Sequence, residues 1–171
     1  MEERVNYMRL ALQEARKSPP KPTNFCVGAC LVDEAEGSSS FVESGYTLEC
    51  EGNTHAEQCC FIKLSHRYRC TEDQLGHYLP KHTVLYTTME PCNKRSVGNL
   101  PCVDRILQLK RLDGKQAIGK VYIGVSEPET FFGINEGRQK LRDAGIEVIH
   151  VAGLEDEILR VATAGHPKDD R

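Results

Sequence analysis

Three side chains able to bind a transition metal, His55, Cys92 and Cys102, are spread over residues 55–102. They can meet only in a fold that carries separate elements to one place. Glu57 stands two positions after the histidine, a carboxylate that need not bind metal. One imidazole and two thiolates suit Zn²⁺. Three protein ligands leave the fourth tetrahedral position for water, which marks a catalytic zinc site and not a closed structural one.

The chain around these residues reads as alternating helices and strands. Val5, Met8, Leu12 and Ala15 recur at helical spacing within residues 2–17, and Ser18-Pro19-Pro20-Lys21-Pro22 ends that helix. Residues 25–32 are apolar and small and predict a strand; residues 41–47 predict a second. Gly37 and three serines make residues 34–40 a loose loop between them. A helix is expected from about residue 55 to 68, with Asn53 or Thr54 as its N-cap. Residues 71–81 read as a polar connection, 83–88 as a strand, 93–101 as a loop, and 102–109 as a helix. Strands over 121–125 and 146–151 flank a helix over 134–144 closed by Gly145. A last helix covers 154–164, and the tail 166–171 is expected to be disordered. This alternation predicts an α/β layered domain with a five-stranded sheet flanked by helices, and a single domain over residues 1–171.

In this layout His55 opens one helix, Cys92 follows a strand, and Cys102 opens another helix. Helix N-termini carry partial positive charge and free N–H groups, both of which favour a thiolate. A zinc ion held there would acidify a water towards neutrality, and Glu57 could carry protons during attack on an amidine-like ring carbon. Residues two apart do not share a helix face. His55 and Glu57 therefore converge only if the site lies over the helix end. His-x-Glu alone, or a Pro-Cys pair alone, says little; their combination in this context is far more specific.

Other residues stay ambiguous at this level. Lys94 and Arg95 could hold a phosphate or simply line a solvated loop. Asn24 could hydrogen-bond a substrate or form a turn. Cys26, Cys30, Cys50, Cys59, Cys60 and Cys70 default to packing, and a second zinc site among Cys26, Cys30, Cys59 and Cys60 has poor spacing.

Composition excludes several classes. Hydrophobic residues at 39% and charged residues at 27% fit a soluble globular protein. A net charge of -3, no tryptophan and no basic stripe argue against broad nucleic-acid binding. No apolar run suits a membrane helix, and Met1-Glu2-Glu3-Arg4 does not read as a secretory leader. Eight cysteines in a chain of this size suggest free thiols in a reducing cytoplasm.

His55-Ala56-Glu57, Glu90-Pro91-Cys92 and Cys102 together resemble the cytidine deaminase-like superfamily. Its motif commonly closes as Pro-Cys-x-x-Cys; here residues 93–101 separate the thiols. The long spacer is similar to that of the riboflavin-biosynthesis deaminases, above all the stand-alone fungal type. The resemblance extends through Met8-Arg9-Leu10-Ala11, Cys26-Val27-Gly28-Ala29, Gly52-Asn53-Thr54-His55-Ala56-Glu57-Gln58-Cys59 and Tyr86-Thr87-Thr88-Met89-Glu90-Pro91-Cys92. It continues through Gly98-Asn99-x-Pro101-Cys102 and Ile123-Gly124-Val125-x-Glu127-Pro128, and covers roughly residues 5–155.

The resemblance implies a three-layer fold around a mixed five-stranded sheet. It implies one zinc per chain, held by His55, Cys92 and Cys102, with Glu57 as proton shuttle. The substrate would be 2,5-diamino-6-ribitylamino-4(3H)-pyrimidinone 5'-phosphate, deaminated to the pyrimidinedione with release of ammonia. Substrate contacts would fall on Asn24, Lys94, Arg95, Ser96, Asn99, Glu127 and Thr130. A homodimer is also implied. Bacterial relatives fuse this domain to a reductase, but no Gly-rich dinucleotide fingerprint is present here, so no nicotinamide cofactor is expected. Rival readings are a tRNA-editing base deaminase, a free cytidine or deoxycytidylate deaminase, and a non-catalytic zinc-folded interaction domain.

Overall fold

In the computed structural model, which describes residues 1–128 and 136–168, strand polarity and helix placement follow from the apolar pattern. The elements run α1 (Glu2–Ala15), β1 (Gly28–Ala35), β2 (Ser38–Tyr46), α2 (Ala56–Tyr68), β3 (Thr83–Met89), α3 (Cys102–Gln108), β4 (Lys120–Val125), α4 (Gly137–Asp143), β5 (Glu147–His150) and α5 (Glu155–Ala162). The five strands form one sheet in the order β2-β1-β3-β4-β5. β1 pairs antiparallel with β2 and β3, whereas β3–β4 and β4–β5 are parallel, so the sheet is mixed.

Alternate residues of the central strands face opposite ways, as strand geometry requires. Ala29, Leu31, Leu85, Val121 and Ile123 pack with Ala56, Cys60, Phe61 and Leu64 of α2, Val103 and Ile106 of α3, and Leu141 of α4. Cys30, Val32, Val84, Tyr86 and Tyr122 pack with Met8, Ala11, Leu12 and Ala15 of α1 and Ile158 and Ala162 of α5. Helices thus cover both faces of the sheet, in three layers. β3 is buried along its whole length, which is why it reads as an unbroken apolar run with threonines.

Several local expectations need correction. β1 starts three residues later than the apolar run suggests, because Cys26 and Val27 bond instead to Ala162 O and Thr47 N outside the ladder. The stretch 34–40 is not a loose loop: Glu34 pairs with Ser39 and Ala35 with Ser38, leaving a two-residue turn at Glu36-Gly37. Gly37 supplies the positive φ of 75° that closes it. The serines are tolerated because β2 is an edge strand with a largely polar, exposed first half. Residues 72–77 form a 3-10 turn that buries Leu75 and Gly76, so that connection is not wholly polar.

The N-cap of α2 is His55 itself, in extended conformation, and neither Asn53 nor Thr54. Helix α4 begins later than expected within the described residues. Its end is as read: Gly145 N–H donates to Arg142 O and Ile146 N–H to Leu141 O, a Schellman closure with Gly145 at φ 86°. His166 is tied down: its Nε2 lies 2.8 Å from Asn24 O and its ring 4.7 Å from that of Phe25.

Candidate active site

The C-terminal ends of β3 and β4 and the N-terminus of α2 meet at one edge of the sheet, where layered α/β folds gather ligands. His55 caps α2 with φ -88° and ψ 162°, which turns its side chain off the helix end. Glu57 lies in the first turn of α2 and is buried. Both therefore serve one point over the helix terminus, as their two-residue spacing requires. Cys92 follows β3 by three residues, and Cys102 is the first residue of α3.

His55 Nδ1 lies 3.4 Å from Cys92 Sγ and 3.4 Å from Cys102 Sγ. All three donor atoms fall within 4.8 Å of one another. Tetrahedral zinc, with bonds of about 2.3 Å to sulfur and about 2.0 Å to nitrogen, sets nitrogen–sulfur separations near ~3.6 Å. The donor set thus matches zinc in both chemistry and spacing. Among the described residues it is the one cluster of three or more such donors.

The electrostatics of the two thiols are linked. Cys102 N–H donates to Cys92 Sγ at 3.3 Å. A hydrogen bond from the Cys102 thiol, opposed by burial and assisted by His55, holds the Cys92 thiol well below its ordinary range. The same bond, together with burial and the Glu57 charge, pushes Cys102 up. Burial pushes the Glu57 carboxyl up; His55 opposes this and Cys92 adds to it. Glu57 Oε2 lies 3.5 Å from Cys102 Sγ, and Oε1 lies 3.3 Å from Thr87 Oγ1. The Thr87 hydroxyl has a closer acceptor in Met89 O at 2.8 Å. The Thr87 hydroxyl thus has two acceptors within reach, Met89 O and Glu57 Oε1.

A cavity of about 290 Å³ opens over this cluster, the size of a single substituted heterocycle. Its wall includes His55, Glu57 and Cys92, and five of the expected contact residues: Asn24, Lys94, Arg95, Ser96 and Glu127. Of these, Arg95 donates to Gln58 Oε1, Asn53 O and Leu100 O. Asn99 is not in the wall; its side chain donates to Ser96 Oγ at 2.9 Å. Thr130 lies outside the described residues.

Sequence reading missed Glu90, Thr47 and Met89, which also line the cavity. Glu90 is buried and takes two hydrogen bonds from the Arg138 guanidinium on α4, one of them from Nε at 3.0 Å. Arg138 also donates to Ser126 Oγ at 3.1 Å, which joins the ends of β3 and β4. The six remaining cysteines are free; Cys26, Cys30, Cys59 and Cys60 are buried, and Cys50 and Cys70 half-buried.

Residues 1–120 match the family model of the cytidine and deoxycytidylate deaminase zinc-binding region. The diaminohydroxyphosphoribosylamino-pyrimidine deaminase of Schizosaccharomyces pombe is 38% identical over 161 residues, which is 94% of this chain and 35% of that protein. The chain therefore spans about a third of the length of this curated relative. The Aspergillus oryzae Rib2 deaminase, as a C-terminal deletion mutant, superposes with a TM-score of 0.86 at 48% identity, covering 96% of this chain and 93% of that one. The same Aspergillus protein in complex with DARIPP gives a TM-score of 0.85 at 47% identity, covering 95% of this chain and 91% of that one.

Proposed function

This chain belongs to the cytidine and deoxycytidylate deaminase zinc-binding family, and on that premise we propose that it is the pyrimidine deaminase of riboflavin biosynthesis. Its substrate is 2,5-diamino-6-ribitylamino-4(3H)-pyrimidinone 5'-phosphate. Water replaces the ring amine with a carbonyl, and ammonia leaves. The observation that carries this reading is the His55–Cys92–Cys102 triangle with 3.4 Å nitrogen–sulfur edges, set beside the buried Glu57 on the floor of a heterocycle-sized cavity. The likeness to the Aspergillus deaminase, which binds DARIPP, supports the substrate class.

His55, Cys92 and Cys102 hold one zinc ion, which when bound would polarise a water molecule for attack on the ring carbon. Glu57 takes one proton from that water for the ring nitrogen, then takes the second from the added hydroxyl as the carbonyl forms and gives it to the departing amine. Its burial suits the task, because a carboxyl with a raised pKa holds the proton between transfers. Thr87 fixes the Glu57 carboxyl from the β3 side. Asn24 and Glu127 bind polar groups of the ring, while Lys94 and Ser96 face the phosphate. The chain works as a single domain, as a homodimer in the cytoplasm. Among the described residues no helix is long and apolar enough to cross a membrane.

The test is ammonia release by the purified protein from the phosphorylated diamino-ribitylamino-pyrimidinone. Turnover that disappears with zinc and returns on its addition is expected. Absence of release from a folded, zinc-loaded sample would reject this substrate.

A further inference from the structure

Two chain segments supply all three donors of the zinc cluster: the turn 53–58 carries His55, and the segment 92–102 begins and ends with a cysteine. Arg95 crosses between them. Its Nη1 donates to Gln58 Oε1 at 3.0 Å and to Leu100 O at 3.4 Å, and its Nη2 to Asn53 O at 2.6 Å. Gln58 Oε1 also accepts the backbone N–H of His55 at 3.3 Å, as the third residue of the helix reaching back to its cap. Leu100 O takes a further bond from Arg105 Nε at 3.2 Å, which ties the far end of the same loop to α3.

We propose that Arg95 is a positioning residue for the zinc ligands, a pin that holds the His55 turn and the Cys92–Cys102 loop in one register, and not a ligand for the substrate phosphate. This rests on the zinc reading given above. All its acceptors are amide oxygens within the protein. Both N–H groups of Nη1 and one of Nη2 are committed, so at most two of five donors remain for any ligand. The planar guanidinium reaches three acceptors on two segments at once. A lysine ammonium, compact and at the tip of a flexible stem, cannot reproduce that fork. Without the pin, Asn53 O and Leu100 O turn to water, and the loop between the two thiols loses its tie to the histidine. Partners that orient metal ligands from behind commonly change metal affinity by about 10–100-fold when removed.

The experiment is zinc affinity by chelator competition on the purified protein, with Arg95→Ala, Arg95→Lys, Gln58→Ala and the Arg95→Ala/Gln58→Ala double variant. The thiolate-to-metal absorption of the Co²⁺-loaded forms is recorded in parallel. Both Arg95 variants should bind zinc about 10–100-fold more weakly, with an altered cobalt spectrum. The double variant should lose less than the sum of the two single losses, because the two side chains share one bond, Arg95 Nη1 to Gln58 Oε1. Catalytic efficiency should fall by the same factor on the phosphorylated substrate and on its dephosphorylated form. Parental zinc affinity in Arg95→Lys and Gln58→Ala overturns the pin, whether or not Arg95→Ala folds. A loss confined to KM for the phosphorylated compound also overturns it and makes Arg95 a phosphate ligand. A parent protein that takes up no zinc overturns the zinc reading itself, and the pin with it.

Discussion

Gly45 lies close against the helix that carries the site, and Gly45→Ala tests how rigidly that helix must be held. A Cβ placed on Gly45 would lie 2.4 Å from Ala56 O, 3.0 Å from Cys60 N and 3.1 Å from Cys59 Cβ. The first two are backbone atoms of the first turns of α2, which cannot swing aside as a side-chain tip would. To reach ordinary contact at 3.4 Å, Ala56 O must recede by about 1 Å. Ala56 lies between His55 and Glu57, so both would move with it. A displacement of about 1 Å at a catalytic group can lower turnover about 100-fold. Overpacking of this kind destabilises by about 1–3 kcal/mol, or about 2–12 °C in Tm for a chain of this length. Gly119→Ala is the control, since nothing lies within 4 Å of an added Cβ there. The assay is kcat from ammonia release at saturating zinc, with calorimetric Tm alongside. A lowered Tm with parental kcat would show that β2, paired on one side only, yields in place of α2. Parental values of both would refute the packing argument.

Three further outcomes are expected. Glu57→Gln should keep one zinc per chain and the parental Tm but lose about 10²–10⁴-fold in kcat, since an amide cannot shuttle a proton; near-parental turnover would sink the assignment. Cys102→Ala should lose zinc, and equal metal content in variant and parent by elemental analysis would show that another thiol is the ligand. Arg138→Ala removes both hydrogen bonds to the buried Glu90 carboxylate and should destabilise by about 1–3 kcal/mol, read as a lowered Tm. An unchanged Tm would mean that this pair does not hold the ends of β3 and β4 together.

What was legible in the sequence is what local chemistry dictates. His55, Cys92 and Cys102 come together with Glu57 beside them, a grouping that residue type and motif context alone already indicated. β3 was legible because a strand buried on both faces draws on apolar and β-branched residues, here Val84, Leu85, Tyr86 and Met89 with three threonines. The hairpin turn was misread because Ser38, Ser39 and Ser40 look like loop residues by composition, and only pairing with β1 makes them a strand. The cap of α2 was misplaced because histidine is not among the usual N-cap residues, although Gln58 stood at the N3 position of a capping box. Arg95 was read as a phosphate ligand or a solvated loop residue for the same kind of reason. Its partners Asn53 and Gln58 lie on another segment, and no local pattern announces them. Glu90–Arg138 likewise joins β3 to α4 and exists only once the sheet order is set.

The site divides by how its parts are held. His55, Glu57 and Thr87 belong to α2 and β3, elements locked into the core by Phe61, Leu64 and Leu85. Lys94 and Ser96 belong to the segment between the thiols, where no helix or strand forms. On the proposed reading, chemistry would sit on rigid elements and phosphate contact on a loop, the division that lets one scaffold change substrates. That loop is not independent of the metal, because it is strung between two of the three ligands. Shape changes within residues 93–101 reach the zinc cluster through Cys92 and Cys102 unless something fixes the loop against α2. Arg95 and Asn99 meet that need differently: Arg95 ties the loop to the histidine turn, while Asn99 braces Ser96 within the loop. Substitutions at Lys94 or Ser96 should accordingly alter which phosphorylated pyrimidine is accepted while zinc affinity stays parental. Substitutions at Arg95 should lower zinc affinity and leave that preference parental, and comparing the two groups by chelator competition separates substrate recognition from metal positioning.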